Sequence, residues 1–445
     1  MTSRRFLLWP AAALAGALSL GGCLGVAGIS DFRVDESAPT VDAGADARDA
    51  APPPPDVVTD ADAALDATLD ADADAPVTRS PGLSFVSLPG TGVGVGKGVT
   101  VTLTARNEVG DPVPRVGSQV VFTVTGGTSV ISVGATTDVG DGTYTAVLTG
   151  VTAGTKAQVT ALLDGAALRT PAASLRVVNP VSAGLTFSLD AANADRGGNA
   201  GGKLCPTTGQ TQWEDLTSGS SISGALLGFA DPCGVGSGWE GTGTPTDPHR
   251  LAFDGLDDHV SFGAVNDLQK YTIITWARKT GDGTLGTTGS SGLQNVFPVV
   301  TKGCREVEAG PLDINYYLAI TDTNRFAVDY EHVGTSMNSP LVGGSVLREA
   351  EWYMLATTLD SATGARAVYV NGASDGSMTP VAGPASSSGT LFVVGGANRS
   401  DGTPEGRFRG DVALVLAYDR ALTVPEIEAN CHAFSSRFAM RSCKN

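Results

Sequence analysis

LAFDGLDDHVSF (251–262), EWYMLATTLDSATGARAVYVNG (351–372) and FRGDVALVLAYDRALTVPEIE (408–428) decide the fold of this chain. Each sets short runs of β-branched and aromatic residues between tight turns, the pattern of paired strands. In FDGLDD, Gly255 frees a tight turn, and Asp254, Asp257 and Asp258 can cap backbone N–H groups around it. Asn371-Gly372 directly follows the run Ala367–Val370 and is the strongest hairpin signal in this half of the chain. Trp276 and Trp352 alternate with polar neighbours, which predicts core aromatics between two sheets. One short helix is expected at the end, with Thr423 as N-cap, Pro425 in the first turn and Glu426 completing a capping box. Ile427 is placed to cover one end of the sandwich.

Working outward, an opening strand runs through Leu185, Phe187 and Leu189, and a stretch dense in Gly, Thr and Ser follows over 194–247. Further strands are expected at Thr272–Ala277, Tyr316–Ile320, Arg325–Tyr330, Trp352–Leu359, Leu391–Val394 and Asp411–Ala417. So many short strands joined by Gly, Asp and Asn turns predict a jelly-roll sandwich of two sheets.

With ITWARK (274–279) added, these fragments resemble the laminin-G, pentraxin and concanavalin A-like lectin superfamily, and most of all the bacterial LamG-like jelly-roll domains. The resemblance covers roughly 183–432, with insertions at about 194–247 and 280–296, and places a domain at 180–434. It implies a binding module for glycans or surface proteins, and calcium at the rim as a cofactor. Asp257, Asp258, Asp401 and Asp411 are hard oxygen donors of the right kind, with turn capping as the competing role. Some members of the superfamily are glucanases, which need two facing carboxylates. Here Asp329 and Glu331, bracketing Tyr330, come nearest to a strand-borne pair, and the four histidines are scattered. No catalytic residue is assigned and an enzyme is not expected.

Upstream, Val101, Leu103 and Ala105 alternate with Thr102, Thr104 and Arg106, and Val120, Phe122 and Val124 repeat the pattern. So do Tyr144, Ala146 and Leu148, then Ala157, Val159 and Ala161, separated by turn-forming NEVGDPVP, TGGTS, DVGDG and TAGTK. VTVTLTARNEVGDPVPRVGSQVVFTVTGG (99–127) and TTDVGDGTYTAVLTGVTAGTKAQVTALLDG (136–165) are similar to the immunoglobulin-like repeats of invasin- and intimin-type surface proteins. The resemblance implies a spacer or binding module over 83–179.

The chain begins MTSRRFLLWPAAALAGALSLGGCLG, with Arg4 and Arg5 ahead of an apolar run too short for a stable membrane span. Leu20-Gly21-Gly22-Cys23 resembles a bacterial lipobox, which implies a signal peptide at 1–22 and lipidation of Cys23 as a membrane anchor. From Val41 to Asp74 there are ten aspartates, one basic residue and no aromatic, so the linker at 23–82 is expected to stay disordered. Leu24, following the lipidated cysteine, points to the outer membrane of a Gram-negative envelope by the same resemblance.

The 445 residues carry 29 basic and 46 acidic side chains, a net charge of −17, which argues against nucleic acid as a partner. Six cysteines leave five after Cys23, an odd number for an exported protein. Nearness in sequence favours Cys205–Cys233 and Cys431–Cys443, the second tying down a tail at 435–445, and leaves Cys304 free. The expected protein is all-β: an anchored immunoglobulin-like sandwich carrying a LamG-like head for binding or adhesion. A non-catalytic structural or interaction role in the envelope is the alternative, and a glycoside hydrolase is the less favoured one.

Overall fold

The computed structural model describes residues 78–113, 119–201, 211–229, 233–289, 291–305, 313–333, 335–379, 389–440 and 443. The signal segment, Cys23, the acidic tether up to residue 77, Cys205 and the Cys233 side chain lie outside the described residues.

The first sandwich follows directly from period-2 alternation. Strands Gly98–Thr104 and Thr143–Thr152 pair antiparallel, with Val101 opposite Ala146 and Leu103 opposite Tyr144. Phe85–Ser87 and Val130–Val133 flank them on either side. The facing sheet pairs Val120–Thr125 with Ala157–Leu163, then Ala173–Val178, then Gly92–Gly94 in parallel. Val101, Leu103, Phe122, Tyr144, Leu148, Val159 and Leu175 fill the space between the sheets. The threonines between them, Thr100, Thr102, Thr145 and Thr149, turn outward. The sandwich begins slightly ahead of residue 83, because Arg79 bridges Asn107 and the Ser80 amide donates to the Arg106 carbonyl.

The second sandwich has a nine-stranded and an eight-stranded sheet. At the centre of the larger one, Tyr271–Lys279 and Arg409–Tyr418 pair antiparallel, flanked by Tyr353–Asp360 and Arg250–Asp254. The opening strand Leu185–Asp190 also pairs with Arg409–Tyr418. The smaller sheet runs Gln212–Glu214, Ser223–Leu227, His259–Ser261, Phe392–Val394, Val296–Gly303, Ile314–Thr321, Arg325–Asp329 and Leu341–Val346. Phe187, Phe253, Phe262, Ile273, Leu318, Val328, Leu355 and Phe392 lie between the sheets. The turn-rich insertion therefore supplies strands to both sheets. Val296–Gly303, with every residue buried, is a further strand that alternation does not reveal.

Both expected turns form. Asn371 and Gly372 have φ of 51° and 79°, the left-handed pair that a tight hairpin needs, and they join Ala365–Val370 to Ala373–Met378. Gly255 has φ of 83°, the Leu256 amide donates to Asp254 Oδ1 at 2.8 Å, and the Asp254 amide donates to Asp258 Oδ2 at 2.9 Å.

The tryptophans correct the sequence reading. Trp276 and Trp352 are buried, but not between the sheets: with Ile274, Met354, Leu416, Ile427 and Phe438 they form a second core on the outer face of the nine-stranded sheet. The helix Val424–Ser435 and the tail after it cover that face. Tyr271–Lys279 is thus buried on both sides, so its alternation sorts residues between two cores. The helix start is fixed by Glu426, whose carboxylate accepts the Thr423 amide and hydroxyl at 2.9 Å each and Arg420 at 2.7 and 3.0 Å. Those Arg420 bonds pull Glu426 down to about 2. Cys431 and Cys443 are joined by a disulfide, and Cys304 is buried outside it. No helix among the described residues is long and apolar enough to cross a membrane.

Candidate functional site

The outer face of the eight-stranded sheet holds a set of buried polar groups. Its sidedness follows from the strands: Phe326 and Val328 point into the core between the sheets. Ala327 instead joins Leu293, Val296, Cys304, Ile314, Tyr317, Ala319 and Ala397 in a separate cluster. Asp329, two residues beyond Ala327, is therefore on this outer face, directly across from Tyr317 on the neighbouring strand.

Asp329 holds the loop 287–293 against the sheet. Its Oδ2 accepts the Thr288 hydroxyl at 2.5 Å and the Leu293 amide at 3.3 Å, while Oδ1 accepts the Tyr330 and Ser339 amides at 2.8 Å each. A Cβ at Gly292 would lie 2.1 Å from Thr288 Oγ1 and 2.7 Å from Asp329 Oδ2, so only glycine closes this loop. Burial raises the Asp329 carboxyl to about 6, and the Arg366 guanidinium and these donors oppose that rise.

Beside it stands the hairpin formed by Gly396–Asn398 and Pro404–Arg407. Arg407 is 4 % exposed, and its Nη1 donates to the Ala397 carbonyl at 3.0 Å and the Gly406 carbonyl at 2.8 Å. Arg407 Nε, Tyr317 Oη and Asn398 Oδ1 are buried without a hydrogen-bond partner among the described residues. Gly286 leaves room for Tyr317, whose hydroxyl would be 2.8 Å from a Cβ there. Glu405 accepts Arg399 at 3.0 and 3.2 Å and pairs with Arg305 at 3.7 Å along the same edge.

The acidic turn adjoins this hairpin, since Asp257 lies close enough to Arg407 to attract its charge. Asp254, Asp257 and Asp258 bring one carboxylate oxygen each within 4.8 Å of the others. Asp258 is fully buried, and burial raises its carboxyl to about 6. The Asp254 amide and the nearby Ser237 hydroxyl draw it down, and the charges of Asp254 and Asp257 push it up further. Asp258 Oδ1 makes no hydrogen bond of normal geometry.

Of the four aspartates expected as calcium ligands, Asp257 and Asp258 come together, with Asp254 as a third member that the sequence reading used only as a turn cap. Asp411 does not join them. It is buried between Arg278 at 2.7 Å and Arg250 at 3.3 Å, so its charge is already neutralised. Asp401 is exposed and caps its own turn through the Thr403 amide at 2.8 Å, outside the acidic group. Glu331, the other half of the carboxylate pair, accepts the Asp313 amide at 2.6 Å and is 4 % exposed. Both of these strand acids are therefore occupied as structural acceptors. Tyr317, Asn398 and Arg407 carried no sequence signal, because they meet only when strands from distant parts of the chain pair.

Residues 254–428 match the family described as the Concanavalin A-like lectin/glucanases superfamily, and residues 93–179 match invasin domain 3. The head is thus a concanavalin A-like domain and the first sandwich an invasin-type domain. Among curated proteins none matches. Among solved structures, the carbohydrate-binding module CBM40 of a Ruminococcus gnavus sialidase, bound to sialyllactose, is 18% identical with a TM-score of 0.29. The match covers 36% of this chain and 81% of that one. Domain 4 of an arabinanase from Geobacillus stearothermophilus, in complex with arabinotriose, is 16% identical with a TM-score of 0.36, covering 57% of this chain and 100% of that one. A pentraxin from Limulus polyphemus is 15% identical with a TM-score of 0.27, covering 39% and 74%.

Proposed function

We propose that this protein is a lipid-anchored envelope protein whose concanavalin A-like head binds glycans without catalysis. The observation that carries the reading is the match of residues 254–428 to the lectin/glucanase superfamily. The geometry supports it with the rim of the eight-stranded sheet, where the acidic turn, with Asp257 exposed, adjoins the hairpin that buried Arg407 anchors. Sugar hydroxyls both donate and accept, so exposed carboxylate oxygens at a rim suit them, while buried Tyr317, Asn398 and Arg407 lie beneath that edge. Asp329 and Glu331 serve as structural acceptors, which supports binding over hydrolysis. Cys23 carries the lipid in this reading and sets the protein on the outer membrane.

Calcium is the cofactor in this proposal. Three carboxylates within 4.8 Å on one turn, one of them buried with an oxygen free of normal hydrogen bonds, are a donor set that fits a hard dication. Asp254, Asp257 and Asp258 would hold it, and its charge would relieve their mutual repulsion. The test is a glycan array probed with the full chain, with and without a chelator, beside an Asp257→Asn variant. Binding that falls on chelation and in the variant is expected; no binding to any glycan in either condition would overturn the reading. Cys23→Ser is expected to move the protein from the membrane fraction to the soluble fraction, and an unchanged distribution would remove the lipid anchor.

A further inference from the structure

The helix Val424–Ser435 has two partners. One face carries Ile427 and Cys431 into the core on the nine-stranded sheet. The C-terminal end, at His432, Ala433 and Ser435, meets the strand Gly92–Gly94 of the immunoglobulin-like sandwich. That approach brings the glycine backbone of the strand directly against the helix end. A Cβ at Gly92 would fall 2.3 Å from His432 Cβ, one at Gly94 would fall 2.8 Å from the Ala433 carbonyl oxygen, and Ser435 Oγ donates to the Gly92 carbonyl at 3.4 Å. His432, Ala433 and Ser435 are all buried there.

The connecting chain is clamped as well. Asn430, fully buried on the helix, accepts the Val181 amide on Oδ1 at 2.9 Å and donates from Nδ2 to Tyr418 Oη at 3.1 Å. Tyr418 Oη in turn donates to the Val181 carbonyl at 2.9 Å, closing a ring of three hydrogen bonds around one linker residue. Arg420 Nε donates to the Ala183 carbonyl at 3.0 Å, which holds the next turn of the linker. Beyond the helix, Arg437 forks onto Asp190 at 2.7 and 2.8 Å, and the Cys431–Cys443 disulfide ties the tail to the helix.

We propose that the two sandwiches form one rigid, cooperatively unfolding body with this helix as the shared element. The immunoglobulin-like sandwich then does more than add length: it fixes the direction in which the eight-stranded sheet faces. Packed side chains alone would allow the joint to re-seat, whereas two glycines pressed on a helix end and a linker amide held by a buried Asn define one geometry. The inference stands independently of what the head binds.

The test uses the full chain. Calorimetry is expected to show a single transition whose van't Hoff and calorimetric enthalpies agree, and small-angle scattering is expected to fit one fixed arrangement. Gly92→Val is expected to split the transition and broaden the distance distribution. Asn430→Ala, which leaves the helix end in place, is expected to speed hydrogen exchange at the Val181 amide by about tenfold or more. Two independent transitions in the unaltered chain, or scattering as broad as that of Gly92→Val, would overturn the proposal. So would rapid exchange at Val181 before any substitution.

Discussion

The two sandwiches of this chain solve the burial problem differently. In the immunoglobulin-like one, each sheet packs on one face and leaves most of the other to solvent, so Thr143–Thr152 alternates buried Tyr144, Ala146 and Leu148 with outward Thr145, Val147 and Thr149. In the head, Ile314–Thr321 and Val296–Gly303 are buried along their whole length, because the middle of each sheet is covered on both sides. One outer face lies under the helix and tail, the other under the loop 284–295 and the hairpin at 396–407. A one-sided sandwich has no covered polar face in which to build a site. A two-sided one does, and in this protein those buried polar groups anchor the loop and hairpin that adjoin the acidic turn.

Substitutions sharpen that contrast. Trp276 lies outside the between-sheet core yet is fully buried against Phe434 and Phe438. Trp276→Ala is therefore expected to cost about 3–5 kcal/mol, read from chemical unfolding of the full chain. A loss below about 1 kcal/mol would mean that the outer core contributes little. Asp411 stands between Arg250 and Arg278 across three neighbouring strands; Arg250 keeps Glu240 and Asp247, but Asp411→Ala takes the carboxylate from Arg278 and is expected to cost about 2 kcal/mol. On the open face of the first sandwich, Val147 is 50% exposed, and Val147→Thr is expected to change stability by no more than about 0.5 kcal/mol.

Titration gives a smaller but signed effect. The Asp329 carboxyl stands at about 6 in the folded protein against an ordinary 3.8, so the folded state binds its proton more tightly. Its contribution to stability is complete below about pH 4 and is lost as the pH rises through about 6. Acidifying from pH 7 to 5 is expected to raise the unfolding midpoint through this group, and Asp329→Asn should flatten that part of the profile. In the first sandwich, Asp141 is shifted the other way by the Thr143 hydroxyl, so its effect appears only as the pH falls towards its lowered value.

The same contrast explains what the sequence could disclose. Alternation marks the immunoglobulin-like strands because water selects the outward residue: Thr102 and Thr104 are polar, and Val101 and Leu103 are not. Turn chemistry is equally local, so FDGLDD and Asn371-Gly372 were legible without any partner. A strand covered on both faces has no polar side to reveal it. NVFPVVTKGC reads as an apolar run broken by Pro298, so nothing in it marks the strand Val296–Gly303. Trp276 was read as buried, correctly, but period 2 does not say which of two cores receives it. The site residues are harder still. Asp411 and Asp257 look alike as loop-bordering acids, and only pairing with Arg250 and Arg278 separates a neutralised aspartate from a free one.

The central claim is that the head engages its ligand at the rim where the acidic turn adjoins the hairpin of Gly396–Asn398 and Pro404–Arg407. Hydrogen exchange of the full chain, with and without a glycan taken from the array, tests it most directly. The account predicts slower exchange at 284–293 and 396–407, with the immunoglobulin-like strands unchanged. Protection confined to Gly98–Thr104 and Thr143–Thr152, with the head unaffected, would contradict it.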